Sequence, residues 1–217
     1  MKELFPTVFK EGKRLYTINA VPGKRVYGER LVKEGKTELR DWDPSRSKLG
    51  AAIMNGLKEL PIKEGAKVLY LGASTGTTPS HVSDILGPSG IMYGIEFAER
   101  VFRSLTDLCK DRKNIAPILA DARKTESFYW VEECDVVFVD ISQPDEVDIA
   151  IRDADEFMSN NGTLMISIKS QSIDVTKKPE DVYKHEAAKI EKAGYKVMQM
   201  INLEPFEHDH AMIIAKK

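Results

Sequence analysis

From residue 66 onward the chain alternates between short apolar runs and amphipathic stretches. The runs at 67–71, 91–95, 115–119, 135–139 and 163–168 are nearly uninterrupted, as expected of strands covered on both faces. Between them, residues 98–112 bring Val101, Leu105, Leu108 and Cys109 to one side of a helix. Residues 145–158 do the same with Val147, Ala150, Ile151, Ala154 and Phe157. This alternation predicts an α/β fold, a mostly parallel Rossmann-like sheet with helices on both faces. Past a helix at 179–193 the pattern changes. Two β-like runs, 195–203 and 211–215, are joined only by 204–210, too short for a helical crossover. They predict an antiparallel pair at the end of the sheet.

The first 40 residues carry a different pattern. Leu15-Tyr16-Thr17-Ile18, Arg25-Val26-Tyr27 and Arg30-Leu31-Val32 are β-prone runs punctuated by Gly12, Gly23, Gly28 and Gly35. Residues 1–44 thus read as a small N-terminal β domain, too short to bury a core alone and expected to dock on residues 45–217. Asp43-Pro44-Ser45 reads as a helix start. Leu49, Ala52, Ile53, Leu57 and Leu60 follow at helical spacing, and Pro61 stops the run.

Composition narrows the class. The 217 residues are 42% hydrophobic and 30% charged, with no apolar stretch of membrane-spanning length and no signal-like start. A cytoplasmic protein is the expectation. Cys109 and Cys134 form no CxxC pair and read as packing residues. The net charge of −2 predicts weak binding of bare nucleic acid by the isolated chain, since phosphate neutralisation supplies that affinity. Residues 1–44 nevertheless hold ten Lys/Arg against seven Asp/Glu.

Candidate chemistry gathers at the strand ends. Val68-Leu69-Tyr70-Leu71-Gly72-Ala73-Ser74-Thr75-Gly76-Thr77-Thr78 is a buried strand breaking into a glycine-marked turn and then a helix. Such a turn sits where open α/β sheets bind ligands. Glu96, 20 residues past Gly76, ends the next run and can accept from both ribose hydroxyls of an adenosine-type cofactor. Asp121-Ala122 ends the third and can meet the adenine edge. The turn is GxxxG and lacks the GxGxxG that seats a pyrophosphate. A phosphate-free cofactor such as S-adenosylmethionine fits it, a dinucleotide less well. The same residues match GxSxG, the nucleophile elbow of α/β-hydrolases, with Asp140 and His210 following Ser74 in hydrolase order. That rival stays open.

Asp140 and Lys169 close successive runs on the ligand-binding side. Lys48 lies on the helix leading in, and His210 at the start of the last run. The set suits methyl transfer to a ribose hydroxyl, a poor nucleophile that must lose its proton. A lysine serves there only if burial or a second cation lowers its pKa; Lys48 beside Lys169 is expected to do so, with Asp140 orienting both. His81 reads as an ordinary helix residue. His185 and His208 have no partner at metal-ligand spacing, so no metal is expected.

These residues also carry a family resemblance. Residues 21–30 (VPGKRVYGER), 46–53 (RSKLGAAI), 69–83, 93–97 (YGIEF), 172–177 (SIDVTK) and 203–206 (LEPF) resemble archaeal fibrillarin-like proteins, over essentially the whole chain. The resemblance implies a class I methyltransferase domain behind a small β domain, and guide-directed 2′-O-methylation of ribosomal and transfer RNA. Beside Gly72, Ala73, Ser74 and Gly76 of the glycine turn, it implies that Thr77, Thr78, Glu96, Phe97, Asp121, Ala122, Asp140, Ile141, Ser142 and Gln143 serve S-adenosylmethionine. It places Lys48, Asp140, Lys169 and His210 at the positions of a catalytic tetrad. The implied partners are a box C/D guide RNA, the target rRNA or tRNA, a Nop-domain scaffold protein and a kink-turn-binding protein. Three residues in two segments depart from the family pattern. Asp140-Ile141-Ser142-Gln143 replaces Asp-Val-Ala-Gln, and Gln171 stands where arginine is expected. A non-catalytic ribonucleoprotein subunit stands beside the hydrolase as a second alternative.

Overall fold

The computed structural model describes residues 1–217. Strands β1 (Lys2–Phe5), β2 (Val8–Glu11), β3 (Arg14–Ile18), β4 (Leu31–Glu34) and β5 (Thr37–Trp42) form an antiparallel sheet in the order β1-β2-β3-β5-β4. Arg25-Val26-Tyr27 is not a strand. Its amides at Val26 and Tyr27 donate to the Glu29 carboxylate, a local turn that outcompetes a ladder.

A 3-10 turn, Pro44–Arg46, leads into α1 (Lys48–Met54), which is capped by Ser47 accepting from the Gly50 amide. The expected helix reaching Leu60 ends early. Gly56 turns the chain at φ +93°, and Leu57 and Leu60 are buried from irregular backbone. Burial alone accounts for their spacing.

The second sheet holds β6 (Lys67–Leu71), β7 (Ile91–Glu96), β8 (Ile115–Leu119), β9 (Cys134–Val139), β10 (Met158–Lys169), β11 (Lys196–Asn202) and β12 (His210–Lys216). Its order is β11-β12-β10-β9-β6-β7-β8. Strands β10, β9, β6, β7 and β8 run parallel, while β12 lies antiparallel between β10 and β11. Helices α2 (Thr77–Leu86), α3 (Glu99–Cys109), α4 (Glu146–Phe157), α5 (Ser170–Ile173) and α6 (Pro179–Lys192) complete the fold. None is long and apolar enough to cross a membrane.

The two sheets share a core. Val8, Leu15 and Trp42 belong to the same buried cluster as Val68, Val82 and Met212. At their junction Arg40, fully buried, donates to Glu29 at 2.8 Å and Asp84 at 2.7 Å. Arg112 reaches the other Asp84 oxygen at 2.6 Å. His81 is no ordinary helix residue: it lies at this junction, stacked on Trp42 with centroids 4.6 Å apart. The Thr17 hydroxyl donates to Asp84, so it accepts from His81 Nδ1, and the Tyr27 hydroxyl lies 2.8 Å from Nε2. Burial and the neighbouring arginines push the His81 pKa well down, leaving a neutral ring.

Candidate active site

Ten of the fourteen cofactor residues read from the sequence line one cleft at the carboxyl edge of β6, β7, β8 and β9. The close approach of β6 to β9 dictates the first glycine. Gly72 has φ +88°, and a Cβ there would fall 2.3 Å from the Asp140 backbone oxygen. Glu96 ends β7 with its carboxylate accepting from the Ser74 and Ala98 amides, each at 2.8 Å. That pair of bonds ties the glycine turn to the start of α3 and fixes the acid.

The cleft encloses about 280 Å3. Gly72, Ser74, Glu96, Phe97, Asp121, Ala122, Asp140, Ile141, Ser142 and Gln143 all line it. Ala73, Gly76, Thr77 and Thr78 do not; they stand behind its wall. Ala73 is buried, Gly76 is the N-cap of α2 and Thr77 its first residue, and the Thr78 hydroxyl donates to Ser47. Arg123, which sequence reasoning missed, also lines the cleft, and its guanidinium binds Asp145 at 2.6 Å and Gln143 at 3.0 Å. It latches the loop after β8 to the loop after β9.

The lining tests what the cleft can hold. It presents three carboxylates, Glu96, Asp121 and Asp140, and its single basic side chain is already paired. Such a lining repels a pyrophosphate and suits an adenosine bearing a positive sulfonium. Phe97, 67% exposed, adds a free aromatic face, and Ile141 and Ile149 add apolar wall. The residues present fit S-adenosylmethionine.

Beside the cleft lie the four polar residues read as catalytic. Asp140 belongs to both parts. It lines the cleft while its Oδ1 holds Lys48 Nζ at 2.9 Å and its Oδ2 accepts from the Tyr70 hydroxyl at 3.2 Å. Lys169 ends β10 directly opposite His210 in the β10–β12 ladder, so both side chains leave the same face. Burial and the Lys48 and Lys169 charges lower the His210 pKa, and Nδ1 lies 2.6 Å from the His208 carbonyl. A neutral ring donates there and leaves Nε2 free to accept.

One expectation is corrected here. Lys48 is not a bare second cation that depresses a neighbouring lysine. Burial works against its charge, but the Asp140 carboxylate outweighs burial and raises the Lys48 pKa. Lys48 stays protonated as the fixed partner of Asp140.

Glu146 is a residue the sequence did not single out. It is fully buried at the start of α4, its Oε1 accepting from the Lys169 amide at 3.1 Å and its Oε2 facing the Gln143 amide at 3.4 Å. Burial pushes its pKa up to about 8. In sequence it reads as an ordinary first-turn helix acid; only tertiary packing exposes its position.

The hydrolase alternative fails on topology. Ser74 does adopt φ +50°, as an elbow nucleophile would. However, His210 is on β12, separated from β6 by β10 and β9. Three strand spacings amount to about 14 Å, far beyond a hydrogen bond.

Comparison with known proteins agrees with this geometry. The Fibrillarin family profile matches residues 1–217. A fibrillarin-like rRNA/tRNA 2′-O-methyltransferase of Methanococcus maripaludis is 47% identical over 220 residues, covering 99% of this chain and 95% of the relative. The crystal structure of Aeropyrum pernix fibrillarin with natively bound S-adenosyl-L-methionine superposes with a TM-score of 0.87 at 48% identity, covering 93% of this chain and 88% of that one. A fibrillarin of a fibrillarin/Nop5p complex superposes with a TM-score of 0.88 at 36% identity, each chain covered in full. Matched from end to end, and close to half identical to such a relative, the chain belongs to the fibrillarin family.

Proposed function

We propose that the protein is an S-adenosylmethionine-dependent 2′-O-methyltransferase acting on ribosomal and transfer RNA. The observation that carries this reading is the double role of Asp140. One residue borders the cofactor cleft and grips Lys48 of the polar cluster, so a methyl donor and a hydroxyl acceptor are brought to the same carboxylate. The names of the relatives agree: one is an rRNA/tRNA 2′-O-methyltransferase and another holds S-adenosyl-L-methionine.

When bound, the cofactor supplies an electrophilic methyl group on a positive sulfonium. The chain's residues do the rest. Glu96 and Asp121 accept from the ribose hydroxyls and the adenine edge. The Lys48–Asp140 pair holds the rim rigid. Lys169 acts on the proton that the 2′-hydroxyl loses as its oxygen takes the methyl. His210, neutral and opposite Lys169, accepts a hydrogen bond at Nε2 and tunes the site.

The protein works as the catalytic subunit of a box C/D ribonucleoprotein, with a guide RNA selecting the target nucleotide. A Nop-domain scaffold is the partner best supported, since a related fibrillarin crystallised with Nop5p. A kink-turn-binding protein completes the particle. The net charge of −2 supports this dependence on partners.

The test is Lys169→Met. Methyl transfer by the assembled particle should fall by at least a hundredfold, while calorimetry on the variant still registers S-adenosylmethionine. Retained turnover would remove Lys169 from the chemistry, and failure of the wild-type chain to bind the cofactor would overturn the reading itself.

A further inference from the structure

The two rims of the polar cluster carry opposite charge. On one side, the segment between β11 and β12 brings Glu204, Glu207 and Asp209, with His208 exposed and held by Glu204 at 2.8 Å. Glu207 lies close enough to feel both Lys48 and Lys169, and burial raises its pKa. That segment is tied to the C-terminal end of α1, where Asn55 donates to the Glu204 carbonyl at 2.7 Å; at the opposite end of α1 the 3-10 turn Pro44–Arg46 opens into a groove of about 380 Å3 against the N-terminal sheet. Lys13, Arg14, Arg30 and Arg46 line that groove.

Its acidic residues do not cancel those four cations. Glu29 is consumed by buried Arg40 at 2.8 Å. Asp41 is shared, at the long distances of 3.4 Å to Arg14 and 3.9 Å to Arg30. Asp43 is turned to Ser45, whose amide and hydroxyl both donate to it. Lys13 and Arg46 pair with no carboxylate. The Arg46 guanidinium instead lies over the Tyr27 ring, 5.0 Å from its centroid, so its planar fork is held in place with its donors unspent. Arg46 precedes Lys48 by two residues, which puts their Cα atoms within about 7 Å.

We propose that this groove is the track for the phosphodiester backbone of the acceptor RNA strand, with Arg46 nearest the reacting ribose. The inference rests on the methyltransferase reading and adds a direction to it. A polyanion that places its 2′-hydroxyl at Lys169 is repelled along 204–210 and drawn over the N-terminal sheet. Loosely engaged Arg14 can exchange Asp41 for a phosphate, and Arg30, steadied by donating to the Tyr16 hydroxyl at 2.7 Å, can do the same with its remaining donors, which phosphate oxygens match. The excess of basic residues in 1–44 thereby acquires a location.

The test uses the reconstituted particle and a radiolabelled methyl donor, with initial rates measured against acceptor-RNA concentration at several salt concentrations. Arg46→Glu should raise the half-saturating RNA concentration about tenfold, and Arg46→Ala should flatten the salt slope by roughly one. Lys13→Glu, a residue without contacts to lose, should shift half-saturation in the same direction, about threefold. Unchanged half-saturation in both reversals overturns the track. So does a parallel loss of cofactor affinity, which would make Arg46 a support for Lys48, or lost co-purification with the scaffold, which would make the groove a protein contact. An inactive wild-type particle would instead refute the methyltransferase reading.

Discussion

The junction between the two sheets and the polar cluster at the sheet edge are built from the same residue types, yet they differ in completeness. At the junction every charge is answered. Arg40 faces Glu29 and Asp84, Arg112 faces the second Asp84 oxygen, and neutral His81 is wedged between Trp42, Thr17 and Tyr27. At the edge only Lys48 and Asp140 match. Burial holds Glu146 protonated, with a pKa of about 8, raises the Glu207 carboxyl above its ordinary range and holds His210 neutral. A satisfied network resists a change of charge; an unsatisfied one can move a proton at little cost. The first builds the scaffold and the second is where chemistry belongs.

The contrast is broken most directly at Asp84. Asp84→Ala leaves two buried guanidiniums facing each other, and unfolding experiments should register a loss of about 3–5 kcal/mol. Asp140→Ala, removing a partly exposed partner of Lys48, should cost much less stability and most of the methyl-transfer rate. Equal destabilisation by the two variants would erase the distinction.

Glu146 sharpens it. A carboxyl with pKa near 4.5 unfolded and about 8 folded binds more protons in the native state between those values, so its contribution to stability falls as pH rises through that window. Glu146→Gln should remove this slope, worth on the order of a few kcal/mol, and leave melting temperatures less sensitive to pH between about 5 and 8. An identical pH profile for variant and parent would mean that the carboxyl is not held neutral.

The smallest effect is expected at His210. If it tunes and does not transfer the proton, His210→Ala should slow single-turnover methylation less than about tenfold and flatten only the acid limb of the pH–rate curve, below the ordinary histidine range. A loss as deep as that of Lys169→Met would promote it to an obligatory proton carrier.

The fold was most legible where burial is two-sided. Residues 67–71 and 135–139 read as strands because parallel strands covered on both faces need nearly unbroken apolar runs. Strands β1 and β2 were not singled out, since KELF and VFKE are short and largely half-exposed. Residues 25–27 misled because β-propensity cannot foresee that Glu29 captures their amides. Leu57 and Leu60 misled because helical spacing and simple burial look alike over two residues. At the site, Glu96, Asp121 and Asp140 were legible as polar residues ending apolar runs. Glu146 and Arg123 were not, since their roles arise from contacts across the fold, to Lys169 and to Asp145 and Gln143.

The position of β12 bears on where the fold is vulnerable. Last of the twelve strands in chain order, it is no edge strand: it lies between β10 and β11 and pairs with both. Strand β11 pairs with no other, so it joins the sheet only through β12. His210, the first residue of β12, meets Lys169 across the ladder. A substitution that loosens β12 therefore frees two strands at once and disturbs the reacting corner, while the adenosine-facing acids at the ends of β7, β8 and β9 keep their own supports.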